Sequence, residues 1–114
     1  FYQIGNGSTI FEAFSKEKLG TTTGDNLWHC VVGVTDTASS KILLYYDGEY
    51  VHEKAFTGTP NIPASNLRLG SGYGSTNTSY PFSGQYGTFR IYNKALTAAE
   101  VLSNYNSVKP RFGL

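Results

Sequence analysis

The stretch Lys41-Ile42-Leu43-Leu44-Tyr45-Tyr46-Asp47-Gly48-Glu49-Tyr50-Val51-His52 decides the fold. Two runs rich in apolar and aromatic residues flank an Asp-Gly pair. A two-residue type I′ turn needs positive φ at both central positions, which Asp and Gly tolerate well. The stretch therefore predicts a β-hairpin with its turn at Asp47-Gly48.

The residues on either side continue the pattern. Upstream, Leu27 to Asp36 alternates: Trp28, Cys30, Val32 and Val34 share one wholly apolar face, and His29, Val31, Gly33 and Thr35 share the other. Thr37-Ala38-Ser39-Ser40 turns that strand into the hairpin. Further back, Phe1 to Ile4 and Thr9 to Phe14 flank the turn Gly5-Asn6-Gly7-Ser8 and predict a second hairpin, followed by a polar loop from Lys16 to Asn26. Downstream, Asn61 to Ser65 separates the central hairpin from a short strand at Asn66 to Gly70. Ser71 to Tyr80 reads as an exposed loop. Gln85 to Asn93 alternates again, with a bulge expected at Gly87. Thr97-Ala98-Ala99-Glu100 is a capping box that opens one short helix, limited by Pro110.

Many short strands with turn residues between them predict an all-β fold, a two-sheet antiparallel sandwich with one short C-terminal helix. The expected core is Trp28, Cys30, Val32, Leu44, Tyr46, Leu67, Leu69, Phe89, Ile91 and Leu102. Composition agrees. The chain has 114 residues, 15% aromatic and 15% charged, where about 25% charged is usual. That balance excludes a disordered chain. A net charge of +1 with scattered Lys and Arg gives no reason to expect nucleic acid. No stretch approaches the roughly 20 apolar residues of a membrane span, so membrane insertion is not expected. Cys30 is the single cysteine and reads as a structural thiol. The chain opens on Phe1 in strand-like sequence, which we read as a piece of a longer protein.

The order of motifs resembles the laminin-G-like, concanavalin A-like jelly roll. Trp28-His29 opens a strand, Leu44-Tyr45-Tyr46-Asp47-Gly48 follows, and then Leu67-Arg68-Leu69-Gly70. Last comes Phe82-Ser83-Gly84 running into Phe89-Arg90-Ile91-Tyr92-Asn93-Lys94-Ala95-Leu96-Thr97-Ala98-Ala99-Glu100-Val101. The resemblance covers about residues 27 to 105. It implies jelly-roll topology over a single domain, 1–114, lacking the strands that precede Phe1. Gly87-Thr88 stands where the family often has Asp-Glu. The closing Asn104 to Leu114 is similar to the ends of such domains in tailed-phage and other virion proteins.

No constellation points to catalysis. Glucanases of this fold class present an E-x-D-x-x-E strand, and no such spacing occurs here; nor does a G-x-S-x-G. His29 and His52 read as strand histidines satisfied by hydrogen bonds. The resemblance makes calcium the one cofactor worth asking about, at the sandwich rim. Only Asp25 and Asp36 lie in suitable loops, thin support for an ion that takes six to eight oxygens. Asn6-Gly7-Ser8 and Asn77-Thr78-Ser79 are sequons for N-glycosylation. The loop from Gly72 to Tyr80 is the ligand candidate. Tyr73 and Tyr80 offer rings to stack on a sugar, and Asn77 can hydrogen-bond its rim; the plain alternative is an ordinary solvated loop or a contact to a neighbouring subunit.

The expectation is a non-enzymatic module that recognises carbohydrate or a cell surface, as part of a larger extracellular or virion protein. Its alternative is a structural module that contacts neighbouring subunits.

Overall fold

A computed structural model describes residues 2–13, 26–61 and 83–114. Two compact units are present: Phe1–Asn61 with Tyr92–Leu114, and Ile62–Ile91. In the first unit the elements run β1 (Tyr2–Gly5), β2 (Ile10–Ala13), β3 (Val31–Asp36), β4 (Lys41–Tyr46), β5 (Glu49–Ala55) and α1 (Ala98–Val108), closed by a 3-10 turn at Lys109–Phe112. β1 and β2 form one antiparallel sheet, and β3-β4-β5 form another with β4 in the middle.

The central hairpin forms as its sequence dictates. Asp47 has φ 52° and Gly48 has φ 82°, the pair of positive values that a type I′ turn requires. β3 pairs with β4 from Val31↔Tyr46 to Asp36↔Lys41. The β4–β5 register runs from Lys41↔Ala55 to Leu44↔His52 and then steps to Tyr45↔Tyr50, so Val51 is an extra residue, a β-bulge.

β4 is apolar at successive positions because both of its faces are covered. Ile42 and Leu44 face the β1–β2 hairpin and join Ala13 and Phe56 in a core against which Ile4 and Phe11 pack. Leu43 and Tyr45 face the other way and meet Val34, Leu96 and Val101, with Val32 alongside. The helix thus lies on one side of the three-stranded sheet and the hairpin on the other. Ile42, Leu44 and Val101 are essentially fully buried. Each contributes about 2 kcal/mol of transfer free energy.

The β1–β2 turn is held by Asn6 as well as by Gly7 at φ 91°. Asn6 Oδ1 accepts from the amides of Ser8 and Thr9, and its Nδ2 donates to the Thr57 carbonyl at 2.9 Å. The helix begins at the predicted capping box: the Glu100 amide donates to Thr97 Oγ1, and the Glu100 carboxylate accepts from the Thr97 amide.

The structure corrects several core assignments. Leu102 is 46% exposed, and its neighbour Val101 is the buried residue of the helix. Trp28 is half-buried and its ring lies 4.9 Å from that of Phe112, while Cys30 is also half-buried. Of the strand predicted from Leu27, the part from Val31 pairs with β4. Among the described residues no strand pairs with 85–93; Phe89 and Ile91 are 50% and 71% exposed. Leu67 and Leu69 lie outside the described residues.

Candidate functional site

Beside α1 lies an open groove of about 250 Å³ lined by Tyr92, Lys94, Leu96, Glu100, Ser103 and Asn104. Three of these residues come from the helix itself. Glu100, Ser103 and Asn104 stand at i, i+3 and i+4, so the helical repeat sets them on one face. The other three come from the segment that leads into the cap. Leu96 is buried in the cluster with Val34, Tyr45 and Val101, which ties the groove to the sheet.

The polar wall is fixed by Glu100. One carboxylate oxygen accepts from Lys94 Nζ, and the other accepts from the Thr97 amide at 2.9 Å and from the Thr97 hydroxyl at 3.2 Å. The Lys94 ammonium is the main reason its carboxyl falls to a pKa of about 2; the Thr97 amide adds to the effect. An ionised Glu100 also occupies the positive end of the helix dipole, so the groove has no unmatched charge to select an anion. Tyr92 keeps 43% of its surface exposed. Among the described residues, the Ser103 hydroxyl and the Asn104 amide group make no hydrogen bond with other side chains. The arrangement offers a ring to stack on and neutral groups to bond hydroxyls, in a volume below that of a drug-sized site.

The residues singled out from sequence fare differently. Tyr73, Asn77 and Tyr80 lie outside the described residues, as does Asp25. Asp36 is engaged in its own turn: Oδ1 accepts from the Ala38 and Ser39 amides, and Oδ2 accepts from Ser39 Oγ at 2.6 Å. The Ser39 hydroxyl and amide hold its carboxyl below the ordinary value. Among the described residues, no three His, Cys, Asp or Glu side chains are grouped to hold a metal ion. His29 is satisfied by a carboxylate that its sequence neighbours did not reveal, Asp47, at 2.7 Å. Sequence reading missed the groove, although the capping box was its signal. A box fixes where the helix starts, and hence which residues share a face with Glu100.

The comparisons agree with this architecture. The laminin G model described as "Concanavalin A-like lectin/glucanases superfamily" matches residues 2–102. The chain belongs to the concanavalin A-like lectin/glucanase superfamily. Its two antiparallel sheets and short C-terminal helix are those of a laminin G-like sandwich. This laminin G-like domain is also similar to residues 221–444 of an S-layer domain-containing protein from Clostridium thermocellum ATCC 27405, seen in a crystal structure at 2.1 Å. Identity is 24% and the TM-score is 0.55; the match covers 75% of this chain and 42% of that one. The laminin G-like domain thus spans about two fifths of that solved chain, and the likeness bears on fold alone. No curated protein matches it. Membership of the superfamily fits a carbohydrate-binding or structural module.

Proposed function

We propose that this laminin G-like domain is a non-enzymatic carbohydrate-recognition module of a larger extracellular or virion protein. The groove beside α1 carries the reading: Tyr92 supplies the stacking ring, and Ser103 and Asn104 supply the hydrogen bonds. The loop with Tyr73, Asn77 and Tyr80 is a second contact proposed on sequence grounds.

Engagement of the carboxylates supports binding over hydrolysis. Glycosidases need two carboxyl groups facing each other across the cleaved bond. Here Glu53 is paired with Lys41, Glu100 with Lys94, Asp36 with its own turn and Asp47 with His29. A glycan array probed with the chain, beside Tyr92→Ala and Asn104→Ala variants and with and without calcium, tests the proposal. Saturable binding that both variants weaken supports it, and silence from a folded chain overturns it.

A structural reading has its own observation. Tyr86, Phe89 and Ile91 are exposed bulky residues of the kind that subunit contacts cover. It predicts self-association of the chain, readable by sedimentation, and loss of that association in Phe89→Ser/Ile91→Ser.

A further inference from the structure

The β-bulge at Val51 does something that no regular strand can do. Tyr50 and Glu53 are three residues apart, so in an unbroken strand they would point to opposite faces. The register steps between His52 and Tyr50, and the extra residue flips everything before it. Tyr50 then stands opposite Tyr45, and Glu53 stands opposite Leu43. Tyr45 and Leu43 share one face of β4, so Tyr50 and Glu53 share it too. Lys41, also on that face, forms an ion pair with Glu53 at 2.5 Å across the strands.

The product is a small platform. The rings of Tyr45 and Tyr50 meet edge to face at 6.0 Å, with Tyr45 buried beneath and Tyr50 51% exposed. The buried ring holds the exposed one in place. Lys41 and Glu53 keep 40% and 38% of their side chains exposed beside it. Desolvation, and after it the Glu53 charge, raises the Tyr50 pKa above its ordinary value.

We propose that Tyr50, Glu53 and Lys41 form a second saccharide contact, selective for neutral pyranosides with vicinal hydroxyls. The apolar face of the sugar stacks on the Tyr50 ring. One hydroxyl donates to the Glu53 carboxylate, and its neighbour accepts from the Lys41 ammonium. The charges of the pair cancel, so the platform attracts neither anionic nor cationic sugars over neutral ones. Bulges recur where a strand must re-aim a side chain toward a site, and this one creates the platform. The contact does not depend on the groove beside α1.

The test is a titration of the 114-residue chain, followed by amide NMR, with cellohexaose, laminarihexaose, xylohexaose and mannohexaose at millimolar concentrations. At least one of them shifts the amides of Glu49 to Lys54 saturably and without dependence on salt. Tyr50→Ala weakens that binding about tenfold, as loss of an aromatic contact does. Deleting Val51 restores the regular register and abolishes the same shifts. Should the deletion unfold the chain, Glu53→Gln, which keeps the shape but breaks the ion pair, is read in its place and weakens binding. No saturable shift on β5 with any of the four sugars would overturn the proposal, as would shifts that persist unchanged in Tyr50→Ala. The groove is scored separately from the amides of Tyr92, Lys94, Ser103 and Asn104, so the failure of one site is distinguishable from the failure of the other.

Discussion

The Asp47 carboxylate accepts from His29 Nδ1 at 2.7 Å, bridging residues eighteen apart in the chain. Its second oxygen accepts from the Cys30 amide at 2.8 Å, and its own amide donates to the Cys30 carbonyl. The His29 ring stacks on Tyr46 with centroids 4.8 Å apart. One turn residue therefore fastens the segment that enters β3 to the end of β4. Asparagine at this position keeps the positive φ and an acceptor for the Cys30 amide, whereas alanine keeps neither. Asp47→Ala should cost about 2–3 kcal/mol in urea unfolding, the sum of a lost charged hydrogen bond and a strained backbone. Asp47→Asn should cost about half as much. Equal losses would show that only the charge matters.

Gly48 is buried and carries the helix on its back. A Cβ there would lie 2.9 Å from Tyr105 Cδ1 and 3.0 Å from Leu102 Cδ1, at φ +82°. Gly48→Ala should destabilise the chain by about 2–4 kcal/mol, adding the left-handed backbone penalty to overpacking. Adding Tyr105→Ala should recover part of that loss by removing the clash. A double mutant as weak as the sum of its singles would contradict the packing.

The charge of Glu100 makes the helix cap sensitive to acid. Its pKa of about 2 lies below the ordinary 4.5, chiefly because of Lys94. The native state thus binds fewer protons there than the unfolded chain does. The stabilisation is complete above about 4.5 and is lost as pH falls toward 2. Glu100→Gln keeps a capping-box side chain without the charge. Its Tm should lie below that of the wild type at neutral pH, and the gap should close near pH 2. A gap unchanged by acid would mean that the carboxylate contributes shape alone.

On the helix, Val101→Ala should cost about 2 kcal/mol, because it empties a buried site between α1 and the sheet. Leu102→Ala, at a half-exposed position, should cost about 1 kcal/mol or less. Chemical denaturation of the two variants side by side gives the order. The reverse order would place the wrong residue against Val34 and Tyr45.

What the sequence made legible was local chemistry. The Asp47-Gly48 turn, the Thr97–Glu100 box and the hairpin around Asn6 each need only a few adjacent residues, and all three form where their residues stand. The reading lost its way where the outcome depends on a distant partner. His29 and Asp47 meet only after β3 pairs with β4. Val101 rather than Leu102 is buried because the docking angle of α1, which no local pattern encodes, chooses the face. Over 85–93 the alternation of bulky residues was clear, but whether a strand forms depends on the neighbouring backbone. The Val51 bulge was equally hidden, since alternation on either side of it looks regular. The loop residues Tyr73, Asn77 and Tyr80 remain a proposal from composition. The groove beside α1 could have been found by following the capping box one turn into the helix.

Tyr92, Ser103 and Asn104 are proposed to bind a sugar. The most direct measurement is saturable binding of array-selected glycans to the chain and to a Tyr92→Ala/Asn104→Ala variant, each checked for folding by its Tm. Binding by the wild type is expected, with a loss of at least about tenfold in a variant that melts within a few degrees of it, since a stacked ring and a hydrogen bond together contribute that much. Undiminished binding by the folded variant, or none by the folded wild type, would contradict the proposal.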